Sequence, residues 1–79
     1  MQAYVLLNCE MGSEEATIQR LKEVNLVKEV WGTFGAFDIL AKLESNSSEE
    51  LNNTISSKIR HLDNIRSTTT LLKIGRAHV

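Results

Sequence analysis

Apolar residues along this chain keep two different rhythms. In Ala3–Cys9 they come in close succession, with Val5, Leu7 and Cys9 set to point one way and Tyr4 and Leu6 the other. The run is short and Gly12 follows it, so it reads as a strand. Over Ser13–Val24 the spacing lengthens: Ile18, Leu21 and Val24 recur at helical intervals. Ser13 is placed to cap this helix, and Glu14 and Glu15 fall in the first turn, where the helix dipole favours acids. Two strand-like runs, Val27–Phe34 and Phe37–Leu43, flank a turn at Gly35-Ala36 and predict a hairpin. Ser47–His61 is the strongest helical pattern: Ser47 and Glu50 have capping-box spacing, and Leu51, Ile55, Ile59 and Leu62 form one stripe. A β-branched run from Ile65 to Ile74 predicts the last strand.

The predicted order is therefore β-α-β-β-α-β, an α+β chain of the ferredoxin-like class: a four-stranded antiparallel sheet with both helices on one face. Two helix-to-strand junctions look alike, Val24-Asn25-Leu26-Val27 and Leu62-Asp63-Asn64-Ile65, each setting an apolar pair around a polar turn. The strands carry apolar residues on both faces. Ile39, Ala41 and Leu43 oppose Leu40, just as Val5, Leu7 and Cys9 oppose Tyr4 and Leu6. Helices cover one face only, so the other is expected to be apolar and to join a second copy.

Length and composition strengthen that expectation. Seventy-nine residues make one domain, small enough to need help with stability. Cys9 is the only cysteine, so no internal disulfide forms, and it reads as a core residue. His61 and His78 are far apart with no thiol beside them, so neither a metal site nor a cofactor is expected. Self-association is the remaining source of stability. Net charge is −1 with acids and bases interspersed, which predicts no nucleic-acid surface, and Lys58 and Arg60 read as a solvated helix end. No apolar run approaches membrane-spanning length and no targeting segment is recognisable, so a cytoplasmic protein is expected.

Catalytic constellations are scarce, and no catalytic residue is assigned. Glu14-Glu15 and Glu49-Glu50 stand at helix starts, and His61 at a helix end, where dipole interactions account for them. Trp31 reads as an interface or core aromatic. The turn Gly35-Ala36-Phe37-Asp38 is more suggestive. A glycine there permits positive φ and leaves amides uncovered to hold a carboxylate, while Asp38 could hold an ammonium group. Thr68 and Thr70 project from one face of the last strand and Ser67 and Thr69 from the other, offering hydroxyls to a small polar ligand.

The segment from Val27 to Leu72 resembles the effector-binding domain of the Lrp/AsnC family, the feast/famine regulators. The resemblance rests on a Gly-x-Tyr/Phe-Asp turn (Gly35-Ala36-Phe37-Asp38), an L-P-G-V-like junction (Leu62-Asp63-Asn64-Ile65) and a T-x-T strand (Thr68-Thr69-Thr70). The first strand and helix fit in order and length. The resemblance implies a dimeric α+β-barrel unit that assembles further into octameric rings. It also implies a free amino acid bound between dimers, with the Gly35 backbone and Asp38 at its charged head, Phe37 beside it and Thr68 and Thr70 assisting. Two departures stand out. Full-length members carry an N-terminal helix-turn-helix, whereas this chain starts at strand one, so it is expected to act without its own DNA-binding domain, including by mixed assembly with full-length relatives. The position before Gly35, often Ser or Thr in the family, is Phe34. The expected function is thus a non-enzymatic amino-acid-binding regulatory module. The alternatives are a monooxygenase-like enzyme of the dimeric α+β barrel type, for which only His61 and Tyr4 are available, and a purely structural assembly domain. Residues 1–73 form the expected ligand-binding domain. Residues 74–79 match one reading frame of a widely used sequencing adapter, so native sequence is expected to break off near Lys73.

Overall fold

The structure, a computed structural model, describes residues 1–73. Strand β1 (Gln2–Cys9) leads to helix α1 (Glu14–Lys22), the strands β2 (Val27–Gly32) and β3 (Ile39–Glu44), helix α2 (Ser48–Thr54) and strand β4 (Ile65–Lys73). This is the β-α-β-β-α-β order expected. The sheet runs β2-β3-β1-β4 with every pairing antiparallel. The expected last residue of the final strand, Ile74, and the expected non-native tail 74–79 lie outside the described residues.

Register fixes the two faces of the sheet. Val30, Ala41, Val5 and Thr70 stand side by side across the four strands, as do Gly32, Ile39, Leu7 and Thr68. Ala3, Val5, Leu7, Ile39, Ala41 and Leu43 on this face are fully buried, in one cluster with Leu21 of α1 and with Leu51, Ile55 and Ile59. The opposite face carries Trp31, Leu40, Leu6 and Thr69 in one row, and Glu29, Lys42, Tyr4 and Leu71 in the next. Trp31 stays 40% exposed and Leu71 53%. An ion pair between Lys42 and Glu29 at 4.0 Å is too exposed to contribute much. The open face therefore has the apolar centre that the alternation predicted.

Several local expectations are corrected. Helix α1 is shorter than Ser13–Val24, and the Ser13 side chain does not cap it. Ser13 has ψ 5° rather than an extended backbone, so its hydroxyl turns back and donates to the Glu10 carbonyl at 2.6 Å. At α2 the Ser47 hydroxyl does accept from the Glu50 amide at 3.2 Å. The reciprocal arm of the box is rerouted: the Glu50 carboxylate accepts from the Ser45 hydroxyl, which itself accepts from the Ser47 amide. The helix also does not run evenly to His61. Beyond Thr54 it widens into a π-helical segment, Ile55–Ile59, closed by the Arg60 amide donating to the Ile55 carbonyl at 3.0 Å. Short polar side chains explain the weak spot, since they compete for backbone groups. Ser56 donates to the Asn52 carbonyl at 2.9 Å and Ser57 to that of Asn53. The apolar stripe survives the widening, with Leu51, Ile55 and Ile59 all buried.

The two helix-to-strand junctions are not conformational copies. Asn64 has φ 72°, the left-handed region, and is the only such non-glycine among the described residues. It stands where the family pattern has Gly, and Asn is among the few side chains that tolerate this region. Its carbonyl accepts from the Glu10 amide at 2.8 Å, tying the start of β4 to the end of β1. Asn25 in the first junction has no such conformation.

Candidate functional site

The β2–β3 connection is longer than a tight hairpin turn. Strand pairing stops at Gly32 and Ile39, leaving Thr33, Phe34, Phe37 and Asp38 in the loop although their types suit strands. The loop closes through its own bonds. The Thr33 amide donates to the Asp38 carbonyl at 2.8 Å, and the Thr33 hydroxyl donates to the Phe37 carbonyl at 2.6 Å. Gly35 has φ 115°, as a glycine in this turn was expected to allow. A Cβ at Gly35 would meet nothing within 4 Å, so backbone conformation rather than space calls for glycine there. Phe34 stands wholly in solvent, Phe37 is half-buried, and Gly35 and Ala36 are exposed.

Asp38 is anchored twice to the neighbouring strand. Its amide donates to the Leu7 carbonyl at 3.0 Å, and its Oδ2 accepts from the amide of buried Cys9 at 3.0 Å. The carboxylate is thus a clasp between the loop and the end of β1. Its Oδ1 takes no hydrogen bond among the described residues.

Thr68 and Thr70 lie elsewhere. Both are half-buried on the helix-facing side of β4, which pairs only with β1 and is an edge strand. Thr68 sits across β1 from the loop, paired with the same Leu7 whose carbonyl holds Asp38. Two strand spacings put β3 and β4 about 10 Å apart. One chain therefore gathers Gly35, Phe37 and Asp38, while Thr68 and Thr70 line separate hollows. Thr68 borders one of about 200 Å³ with Arg60, Arg66 and Ser67. Thr70 borders a groove of about 360 Å³ with Asn53, Ile55, Ser56, Arg60 and Leu72. Sequence reasoning took Arg60 for a solvated helix end. Its place in both hollows depends on β4 returning beside the π segment, which leaves no local signal in the sequence. Among the described residues no cluster of His, Cys, Asp and Glu could hold a metal ion, and no helix is long and apolar enough to cross a membrane.

A family model described as the Lrp/AsnC ligand binding domain matches residues 2–76. This chain belongs to that family. Homocitrate synthase of Saccharolobus solfataricus is 37% identical over 77 residues, which are 96% of this chain and 16% of that protein. The chain therefore spans about one sixth of the length of the curated relatives it matches. Among solved structures, TTHA0845 from Thermus thermophilus superposes with a TM-score of 0.89 at 28% identity, covering 99% of this chain and 96% of that one. Escherichia coli AsnC has a TM-score of 0.83 at 22% identity, with 99% of this chain covering 54% of that one, and shows the shared fold. The chain is thus an Lrp/AsnC ligand-binding domain by family and by architecture.

Proposed function

We propose that this Lrp/AsnC domain is a self-associating, non-enzymatic sensor that binds a free amino acid at the Gly35–Asp38 loop. The observation that carries the reading is the loop itself: exposed Gly35 and Ala36 in the same turn as a carboxylate whose orientation is set by the Cys9 amide. An amino acid needs both halves, donors for its carboxylate and an acceptor for its ammonium group. The apolar row Trp31-Leu40-Leu6 on the open sheet face supports pairing of two copies, with larger rings as a further step. Thr68 and Thr70 would then reach a ligand from a neighbouring subunit. Binding at such a shared site favours whichever assembly completes it. On this reading the module is cytoplasmic and engages full-length regulators of its family by mixed assembly. Calorimetry of the whole chain against the twenty amino acids tests the reading. One or a few are expected to bind with Kd below about 1 mM; no binding at that level would refute it.

A second reading is favoured by the 37% identity to part of homocitrate synthase. Here the module would serve an enzyme, sensing an amino acid on behalf of a catalytic unit carried elsewhere. The non-enzymatic role of the domain is common to both readings. Its support is that Tyr4 lies on the open sheet face, whereas His61 is exposed beyond the π segment, so the two do not converge.

A further inference from the structure

The end of β1 is bonded outward on both sides. Its pairing with β3 stops at Leu7 and Ile39. Beyond that point the Cys9 amide donates to the Asp38 carboxylate at 3.0 Å, and the next amide, Glu10, donates to the Asn64 carbonyl at 2.8 Å. Successive amides of an extended chain point to opposite edges. Two adjacent residues therefore hold the β2–β3 loop on one side and the entry to β4 on the other.

The ladder is also interrupted at this point. Register between β1 and β4 shifts between Asn8 and Cys9, which leaves Arg66 without a partner in β1. Glu10 and Asn64 are both exposed, so water competes for the bond between them, and Asn64 is held at φ 72°. The end of β1 thus has two arrangements, one with both bonds closed and one frayed. Because both bonds start from one dipeptide, opening either removes the support that orients the other amide.

We propose that Cys9-Glu10 is a coupling strap, through which the Gly35–Asp38 loop and the start of β4 open and close together. Its use in regulation rests on the amino-acid reading above, in which the loop forms one chain's site and Thr68 of the same chain completes a neighbour's. A ligand on the loop orders Asp38, favours the closed strap and so sets the start of β4 for the neighbouring site. Binding at neighbouring sites is then positively cooperative.

A double-mutant cycle in urea unfolding of the whole chain, at one fixed protein concentration, tests the strap without any ligand. Asp38→Ala opens one arm and Asn64→Ala strains the other. Independent sites combine to within about a factor of two in the unfolding equilibrium constant. Here the combined loss is expected to fall short of the product of the single losses by about threefold or more. Asn64→Gly keeps the left-handed backbone and should combine with Asp38→Ala as an independent change. Amide exchange gives a second readout in the milder Asp38→Asn: Glu10 should accelerate by the same factor as Cys9, with both exchanging faster than Val5. An additive cycle with Asn64→Ala, or Glu10 exchange unchanged while Cys9 accelerates, would overturn the strap. Adding an equimolar mixture of the twenty amino acids to the parent should slow Cys9 and Glu10 equally, and slowing at Cys9 alone would also overturn it. No slowing at either amide would instead refute the amino-acid reading, and with it the cooperative use of the strap.

Discussion

Asp38→Ala removes the acceptor that the Cys9 amide uses. Cys9 is 3% exposed, so water does not readily replace the lost partner. Hydrogen bonds to charged groups contribute about 1.5–3 kcal/mol, and a donor left buried and unpaired costs a similar amount. Asp38 is half-buried, which places the expected loss at the lower end, about 2 kcal/mol. For a domain of this size 1 kcal/mol moves Tm by roughly 4–8 °C, so Asp38→Ala should melt roughly 8–16 °C below the parent. Asp38→Asn retains an acceptor oxygen and should lose less than half as much. Thermal and urea unfolding at one fixed protein concentration measure both, because self-association would otherwise add its own contribution. Hydrogen exchange at the Cys9 amide reports the bond directly and should accelerate in the alanine variant. A melt within about 2 °C of the parent, with Cys9 protection unchanged, would show that the clasp contributes nothing and that its geometry was misread.

Other consequences follow from single positions. Asn64→Gly should be neutral or mildly stabilising, whereas Asn64→Ala should cost about 1 kcal/mol in urea unfolding, because φ 72° is strained for a Cβ without a local polar partner. Leu6→Lys places a charge in the centre of the open sheet face and leaves the helix-facing core intact. Sedimentation should then show self-association weakened at least tenfold with the circular dichroism spectrum retained, and an unchanged assembly would place the interface elsewhere. Ser47→Ala removes the α2 cap and should cost about 1 kcal/mol, with no change if Ser45 alone orders the turn.

The architecture was legible because its signals are local. Alternation in Val5, Leu7 and Cys9, the cap at Ser47 and the stripe of Leu51, Ile55 and Ile59 each act over a few residues and agree with the final packing. Misreadings fall where two structures satisfy one local pattern. The spacing of Leu51, Ile55 and Ile59 fits an α-helix, yet all three stay buried through a π segment. Phe34 and Phe37 are strand-forming types, yet the bonds from Thr33 take them out of the ladder. At the candidate site the sequence displayed the right residue types but not their partners. Asp38 was visible as an acid in a turn, while its bond to Cys9 joins positions 29 apart. Arg60 and Thr70 come to line one groove only through the return of β4, a long-range event no window of the sequence records.

The clasp at Asp38 bears on the grip proposed for it. A carboxylate free to rotate loses that freedom when it binds an ammonium group, and the loss weakens binding. Here the Cys9 amide already holds Oδ2, so the side chain is ordered before any ligand arrives. Its remaining oxygen is then held in a fixed direction, in the loop that exposes Gly35 and Ala36. Structural anchoring and ligand recognition are therefore compatible in one residue, and Asp38→Ala would abolish both at once. Asp38→Asn separates them: the amide can still accept from Cys9, but it carries no charge for an ammonium group. Under the proposed function, amino-acid affinity should fall at least tenfold in Asp38→Asn while most of the melting temperature is kept. Parallel small losses of both would instead assign Asp38 to the fold alone, and the ammonium-binding group would have to come from another subunit.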